Sequence, residues 1–137
     1  SVWGHFPWVW DEGWAFGNRV LIGDALHSAH FSIGSGTRLA IEDAIALTRA
    51  LEADADLAAA LARYETERKP IVHKLVTAAR TSADWYEKFP EHMQLGLMDF
   101  AYGYITRSGR IDDARPRALS PRFMARYEAS NQRGRRS

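Results

Sequence analysis

The chain has 137 residues, room for one domain and too few for two. Its 46% hydrophobic and 26% charged content is that of a soluble globular protein and excludes a disordered one. Cysteine is absent, which excludes disulfides, thiolate metal sites and a cysteine nucleophile, and fits a reducing cytoplasm. No apolar run reaches membrane-spanning length and no signal peptide is visible, so no membrane partner is expected. The net charge of +1 conceals an asymmetry: from Arg107 onward nine arginines face only Asp112, Asp113 and Glu128, a net of about +6, against about −5 before it. Such a tail reads as a solvated terminus on acidic neighbours, with nucleic acid, membrane or a phosphorylated ligand as alternatives. Opening on Ser1 and aromatic residues suits an internal fragment.

In chain order, the alternation Phe6-Pro7-Trp8-Val9-Trp10 predicts a strand, at an edge or a strand start because of Pro7. Asp11-Glu12-Gly13 reads as a turn. The run Val20-Leu21-Ile22 predicts a buried strand that delivers Gly23 and Asp24 at its C-terminal end, where ligands gather in open α/β folds. A polar, glycine-containing loop follows over Ser28–Gly36. Helical spacing of Leu39, Ala40, Ala44, Leu47, Thr48 and Leu51 then predicts a helix capped by Ser35 or Thr37. After Asp54-Ala55-Asp56 a longer helical pattern runs through Leu57, Leu61, Tyr64, Ile71, Leu75 and Ala79. Pro70 should kink or divide it, and it should end near Phe89-Pro90. A weaker helix is expected over roughly 92–106, with Gly96 and Gly103 against it. Beyond Arg107, prolines and arginines suggest an irregular basic segment. The cluster of Trp85, Tyr86 and Phe89 reads as core packing.

The chemistry concentrates in residues 20–43. A strand, Gly-Asp, a glycine-rich loop and a helix N-terminus suit a polar, electron-rich ligand. Asp24 can accept hydrogen bonds from hydroxyls, Gly34 and Gly36 free the backbone N–H groups, and the helix adds its positive end. Alone, Gly-Asp with Gly-x-Gly also fits a plain strand-turn-helix. Glu42 and Asp43 read as first-turn acids that complement the helix dipole.

The longer string is more specific. Gly23-Asp24-Ala25-Leu26-His27, then Gly34-Ser35-Gly36-Thr37 and Glu42-Asp43-Ala44, resembles the second flavin-binding motif of the p-hydroxybenzoate hydroxylase family of FAD-dependent aromatic monooxygenases. His30 through Ile45, with Thr106-Arg107-Ser108-Gly109-Arg110-Ile111 and Pro121-Arg122-Phe123, is similar to the branch acting on aromatic acyl-CoA thioesters, which includes salicylyl-CoA 5-hydroxylase and 2-aminobenzoyl-CoA monooxygenase. The family's usual loop proline is replaced here by Phe31. Violacein-type tryptophan hydroxylases share a similar His-Phe-Ser-Ile-Gly loop, so the substrate stays open.

The resemblance implies an α/β fold of the FAD/NAD(P)-binding type, of which this fragment is mostly helical with one or two N-terminal strands. Residues 1–19 would end a substrate-domain sheet, 20–106 would form the C-terminal part of the FAD-binding domain, and 107–137 a basic C-terminal segment. The dinucleotide-binding Gly-x-Gly-x-x-Gly part is missing and should lie upstream in the same polypeptide. The cofactor implied is FAD, with NADH or NADPH as electron donor. Gly23, Asp24, Gly34, Ser35, Gly36 and Thr37 would bind FAD: Asp24 the ribityl hydroxyls, and Ser35, Gly36 and Thr37 the pyrimidine edge through their N–H groups. His30 and Phe31 would face the substrate, with Arg107 and Arg110 on the phosphates of an acyl-CoA. His27 is either a packing residue or a ligand contact. The partners implied are an aromatic small molecule or acyl-CoA and dioxygen, not nucleic acid. No catalytic nucleophile–base set or metal is needed, since hydroxylation would proceed through a flavin hydroperoxide. A tryptophan-type or free-acid hydroxylase, a flavoprotein reductase or oxidase of the same fold, and a nucleic-acid-binding helical module are the alternatives.

Overall fold

The computed structural model describes residues 7–134, and α-helix dominates it. The chain divides into two compact units, one up to Ala79 and one from Arg80 onward.

In the first unit, the described residues up to Trp10 pair with the chain around His27. Asp11 N–H donates to the Leu26 carbonyl at 2.9 Å and Ser28 N–H to that of Val9 at 2.8 Å, around an antiparallel bridge between Trp10 and His27. The expected opening strand is thus one bridge long, and Phe6 lies outside the described residues. Strand β1 (Ala15–Phe16) pairs antiparallel with β2 (Arg19–Val20), Ala15 opposite Val20. The pairing expected through Ile22 stops at Val20, although Ile22 is still extended; Gly23, at φ 60, then turns the chain. Residues Gly23–Ala25 instead close a 3-10 turn, and Phe31–Ile33 close a second.

Helix α1 (Gly36–Ala53) buries Leu39, Asp43 and Ala50, with Ala46 and Leu47 partly covered, a stripe at three- and four-residue spacing. Ala44, Thr48 and Leu51, expected on that stripe, are exposed, so the covered face is rotated from the apolar pattern. Helix α2 (Leu57–Glu87) runs through Pro70 as one helix, so of the kink or division expected there the division does not occur. Pro70 is exposed, while Tyr64, Arg68, Val72 and Val76 bury the opposite face on either side of it. That packing outweighs the one backbone bond a proline removes. The core of this unit joins Trp14, Leu26, Ala50, Tyr64, Val72 and Val76, with Trp14 and Tyr64 ring centroids 5.4 Å apart.

The second unit continues from α2 through a short α3 (Phe89–His92) to α4 (Leu97–Thr106). Trp85 is a packing centre: edge contacts to Tyr86, Phe89, Phe100 and Tyr104 and a stacked contact to His92 at 4.4 Å surround it. Gly103, which weakens α4 by propensity, lets that helix approach the indole, since a Cβ there would lie 3.4 Å from Trp85 Nε1. The basic segment expected to be irregular is helical: α5 (Ala114–Leu119) and α6 (Pro121–Gly134). Both prolines sit where helices tolerate them, Pro116 in the first turn of α5 and Pro121 at the start of α6. Met124 is buried, and Tyr127 of α6 stacks on Tyr102 of α4 at 4.0 Å. Among the described residues no helix is long and apolar enough to cross a membrane.

Candidate functional site

The first unit holds a cleft of about 550 Å³ lined by Asp24, Ala29, Phe31, Gly34, Ser35, Gly36, Thr37 and Ala40. Five of the six residues expected to bind the cofactor therefore meet at one place, together with Phe31. Each arrives for a local reason. Gly23 reverses the chain at φ 60, so that Asp24 is exposed in the turn that follows. Gly34 ends the second 3-10 turn in the left-handed conformation, also at φ 60, and Ser35 then starts α1. Helix α1 has 18 residues, its N-cap Ser35 forms no side-chain capping bond, and no acid stands in its first turn. Ser35 Oγ instead donates to the Ile33 carbonyl at 3.2 Å. The positive end of a long helix thus opens into the cleft without a capping side chain of its own. A Cβ added at Gly34 or Gly36 would meet no atom within 4 Å, so both glycines border open space.

Phe31 is 86% exposed, and its ring stacks on His30 at 4.3 Å. His30 Nδ1 accepts from Ser32 N–H at 3.2 Å, which pins the loop, but His30 does not line the cleft. Gly23 is buried and does not line the cleft. Arg107 and Arg110 belong to the second unit. The Arg107 guanidinium lies 4.2 Å from the Tyr104 ring centroid and Nη1 donates to the Tyr104 carbonyl at 2.7 Å. Arg110 is exposed.

Under the cleft sits a charged group that the sequence reading placed elsewhere. Because α1 starts at Gly36, Glu42 and Asp43 lie beyond its first turn, and Asp43 is fully buried. One Asp43 oxygen, Oδ2, accepts from Gly23 N–H at 3.0 Å and from His27 Nε2 at 2.7 Å. The other, Oδ1, accepts from Arg68 Nε at 2.8 Å. Arg68, 5% exposed, also reaches the Leu39 carbonyl at 3.2 Å and the Glu42 carboxylate at 3.0 Å. Burial pushes the Asp43 carboxyl up, but the bonds from His27, Arg68 and Gly23 outweigh it and hold it below its ordinary value. His27, read as either a packing residue or a ligand contact, is 2% exposed and packs here. A signal for this cluster was present: Asp43 occupies the helical register of Leu39 and Ala50, where a lone acid needs a buried partner.

Residues 8–79 match the family described as FAD binding domain. The chain is 47% identical over 111 residues to a 3-hydroxy-4-methyl-anthranilyl-(aryl-carrier protein) 5-monooxygenase of Streptosporangium sibiricum, covering 81% of this chain and 31% of that protein. It is 41% identical over 111 residues to a salicyloyl-CoA 5-hydroxylase of a Streptomyces species, covering 79% and 22%. With a protodeoxyviolaceinate monooxygenase of Chromobacterium violaceum it shares 38% over 105 residues, covering 77% and 26%. The chain therefore spans less than a third of the length of these relatives. With more than half of its residues inside the matched region, the chain belongs to the FAD binding domain family.

Proposed function

We propose that this chain is the part of an FAD-dependent monooxygenase that holds the ribityl chain and pyrimidine edge of the flavin while an aromatic substrate is hydroxylated. The observation that carries the reading is the cleft itself, which joins an exposed carboxylate, an uncapped helix N-terminus and two glycines with open space before them. These residues fit FAD. Asp24 accepts hydrogen bonds from ribityl hydroxyls. The N–H groups at the start of α1 donate to the pyrimidine edge, and the helix dipole favours the negative charge that edge gains on reduction, by about 0.3–1 kcal/mol. Side chains at 34 and 36 would enter the space the ring needs. When bound, FAD supplies electron transfer and dioxygen activation, with NADH or NADPH as donor. The protein's part is placement and exclusion of water, with Phe31 and His30 on the substrate side.

Two of the relatives are named for aromatic acyl groups carried on CoA or on a carrier protein, which supports an aromatic acyl thioester as substrate. A free aromatic compound is the second reading, favoured by similarity to the Chromobacterium protein. In either case residues 20–106 complete an α/β FAD-binding domain of the p-hydroxybenzoate hydroxylase type, residues 1–19 lead out of a substrate-domain sheet, and the ADP half of FAD is taken by residues outside this chain.

The test is Asp24→Ala in the full-length protein. Losing a charged acceptor costs about 1.5–3 kcal/mol, roughly a tenfold to hundredfold rise in the Kd for FAD. Flavin content after gel filtration should fall while the far-ultraviolet circular dichroism stays unchanged. Wild-type flavin occupancy in the variant would remove Asp24 from the site.

A further inference from the structure

Helix α1 meets the Gly23–Ala25 turn twice. Near the start of the helix, a Cβ built on Gly23 would lie 3.1 Å from Ala40 Cβ, so the two backbones are in close approach. One turn further on, Asp43 accepts the Gly23 N–H at 3.0 Å. The carboxylate is expensive to desolvate in an apolar stripe unless its lone pairs are used, and the fold uses both oxygens. Its partners come from two segments: Gly23 and His27 from one turn, closed by the His27 N–H donating to the Gly23 carbonyl at 2.9 Å, and Arg68 from α2. Asp24, the neighbour of the clamped Gly23, is exposed at the cleft, and the N-terminus of α1 borders the same cleft.

We propose that Asp43 is a positioning residue of the cofactor cleft: by holding Gly23 and His27 on one oxygen and Arg68 on the other, it fixes the distance between the Asp24 carboxylate and the N-terminus of α1. The inference rests on the flavin reading of that cleft. A flavin bridges the two groups, its ribityl hydroxyls at one and its ring edge at the other, so an error in their spacing weakens both contacts at once. A carboxylate suits this task because each of its oxygens accepts without rotation, whereas an amide of the same shape has one acceptor oxygen for two sets of donors.

The experiment is a double-mutant cycle in the full-length apoprotein with FAD as the titrant and Kd as the readout. The variants are Asp24→Ala, Asp43→Asn and their combination, with Val72→Ala, a fully buried core position of the same unit, as the control for lost stability. Asp43→Asn should weaken FAD at least tenfold. The penalty of Asp24→Ala should shrink at least threefold in the Asp43→Asn background, because a displaced carboxylate has less to lose. Val72→Ala should lower the melting temperature and leave Kd within twofold. Independent, multiplying penalties would show that Asp43 only holds the fold together, and would overturn the proposal. So would wild-type affinity in Asp43→Asn alongside weakened binding in Asp24→Ala. Wild-type affinity in Asp24→Ala would instead overturn the flavin reading, and the positioning role with it. Should Asp43→Asn not fold, Arg68→Lys keeps the cation but not the paired bonds to Asp43 and the Leu39 carbonyl. Its cycle with Asp24→Ala reads the same coupling, and additivity there overturns the proposal equally.

Discussion

Replacing Gly23 by alanine tests the junction between the turn and α1. Two costs arise at that position. At φ 60 an L-residue enters the left-handed region, which costs about 1–2 kcal/mol. The new methyl would then lie 3.1 Å from Ala40 Cβ, a contact tighter than packing normally allows, and relieving it costs about 1–3 kcal/mol. Together these predict a loss of about 2–5 kcal/mol. The second cost can be separated from the first. Ala40→Gly removes the opposing methyl at a helix-propensity cost of about 1 kcal/mol, but leaves the backbone penalty in place. The double variant Gly23→Ala with Ala40→Gly should therefore be more stable than the sum of the single changes by about 1–3 kcal/mol. Urea unfolding of the full-length protein, followed by circular dichroism, gives the three differences. Strict additivity would refute the close approach, and an unaffected Gly23→Ala would refute both the contact and the strained turn.

Three further outcomes are expected, two at the cleft and the Asp43 network and one at Arg110 in the second unit. Gly36→Val should reduce flavin occupancy more than Ser35→Ala, because valine fills open space before the helix N-terminus while Ser35→Ala keeps its N–H; equal occupancy would mean that the loop does not approach the ring. The Asp43 carboxyl is held below its ordinary value of 3.8, so its stabilising contribution is present above that pH and is lost as pH falls through the lower folded value. The stability gap between wild type and Asp43→Asn in denaturant titrations should then narrow below about pH 4, and a gap constant down to acid unfolding would contradict the buried network. Arg110→Gln should raise KM about threefold for an aromatic acyl-CoA, the worth of an exposed ion pair, and leave the free acid unaffected. Added salt should act in the same direction on the wild type, and equal use of both substrates without salt dependence would favour a free aromatic substrate.

Where residues close in sequence decide the structure, the sequence was readable. Helices α1 and α2 followed from apolar spacing because each buries one stripe, and the turn at Gly34 followed from glycine chemistry. Misreadings arose where tertiary packing overrode a local preference. Pro70 signals a break, yet Tyr64, Arg68, Val72 and Val76 are buried on both sides of it and keep α2 continuous. Arginine and proline after Arg107 suggest irregular chain, yet Met124 and Pro116 are buried and Tyr127 stacks on Tyr102, enough to order α5 and α6. On α1 the apolar pattern pointed to Ala44 and Leu51, because hydrophobicity alone cannot favour a stripe that contains Asp43.

The candidate site divides along the same line. Asp24, Gly34, Ser35, Gly36 and Thr37 lie within 14 consecutive positions, and the groups they bring to the cleft are set by local turns and a helix start. What holds those groups in register is not local. Asp43 is 20 residues from Gly23, 16 from His27 and 25 from Arg68, and no spacing rule links the four. Their association depends on α1 packing on the turn and on Arg68 of α2 reaching Asp43, which a pattern in one sequence does not specify. The physical trace that was available is the cost of a buried charge. An acid in the register of Leu39 and Ala50 demands a cation, and Arg68 stands in the corresponding buried register of α2, between Tyr64 and Val72. Pairing those two anomalies joins Asp43 of α1 to Arg68 of α2 on charge alone. It would also have turned His27 from a possible contact, and Asp43 from a first-turn acid, into the support beneath the cleft.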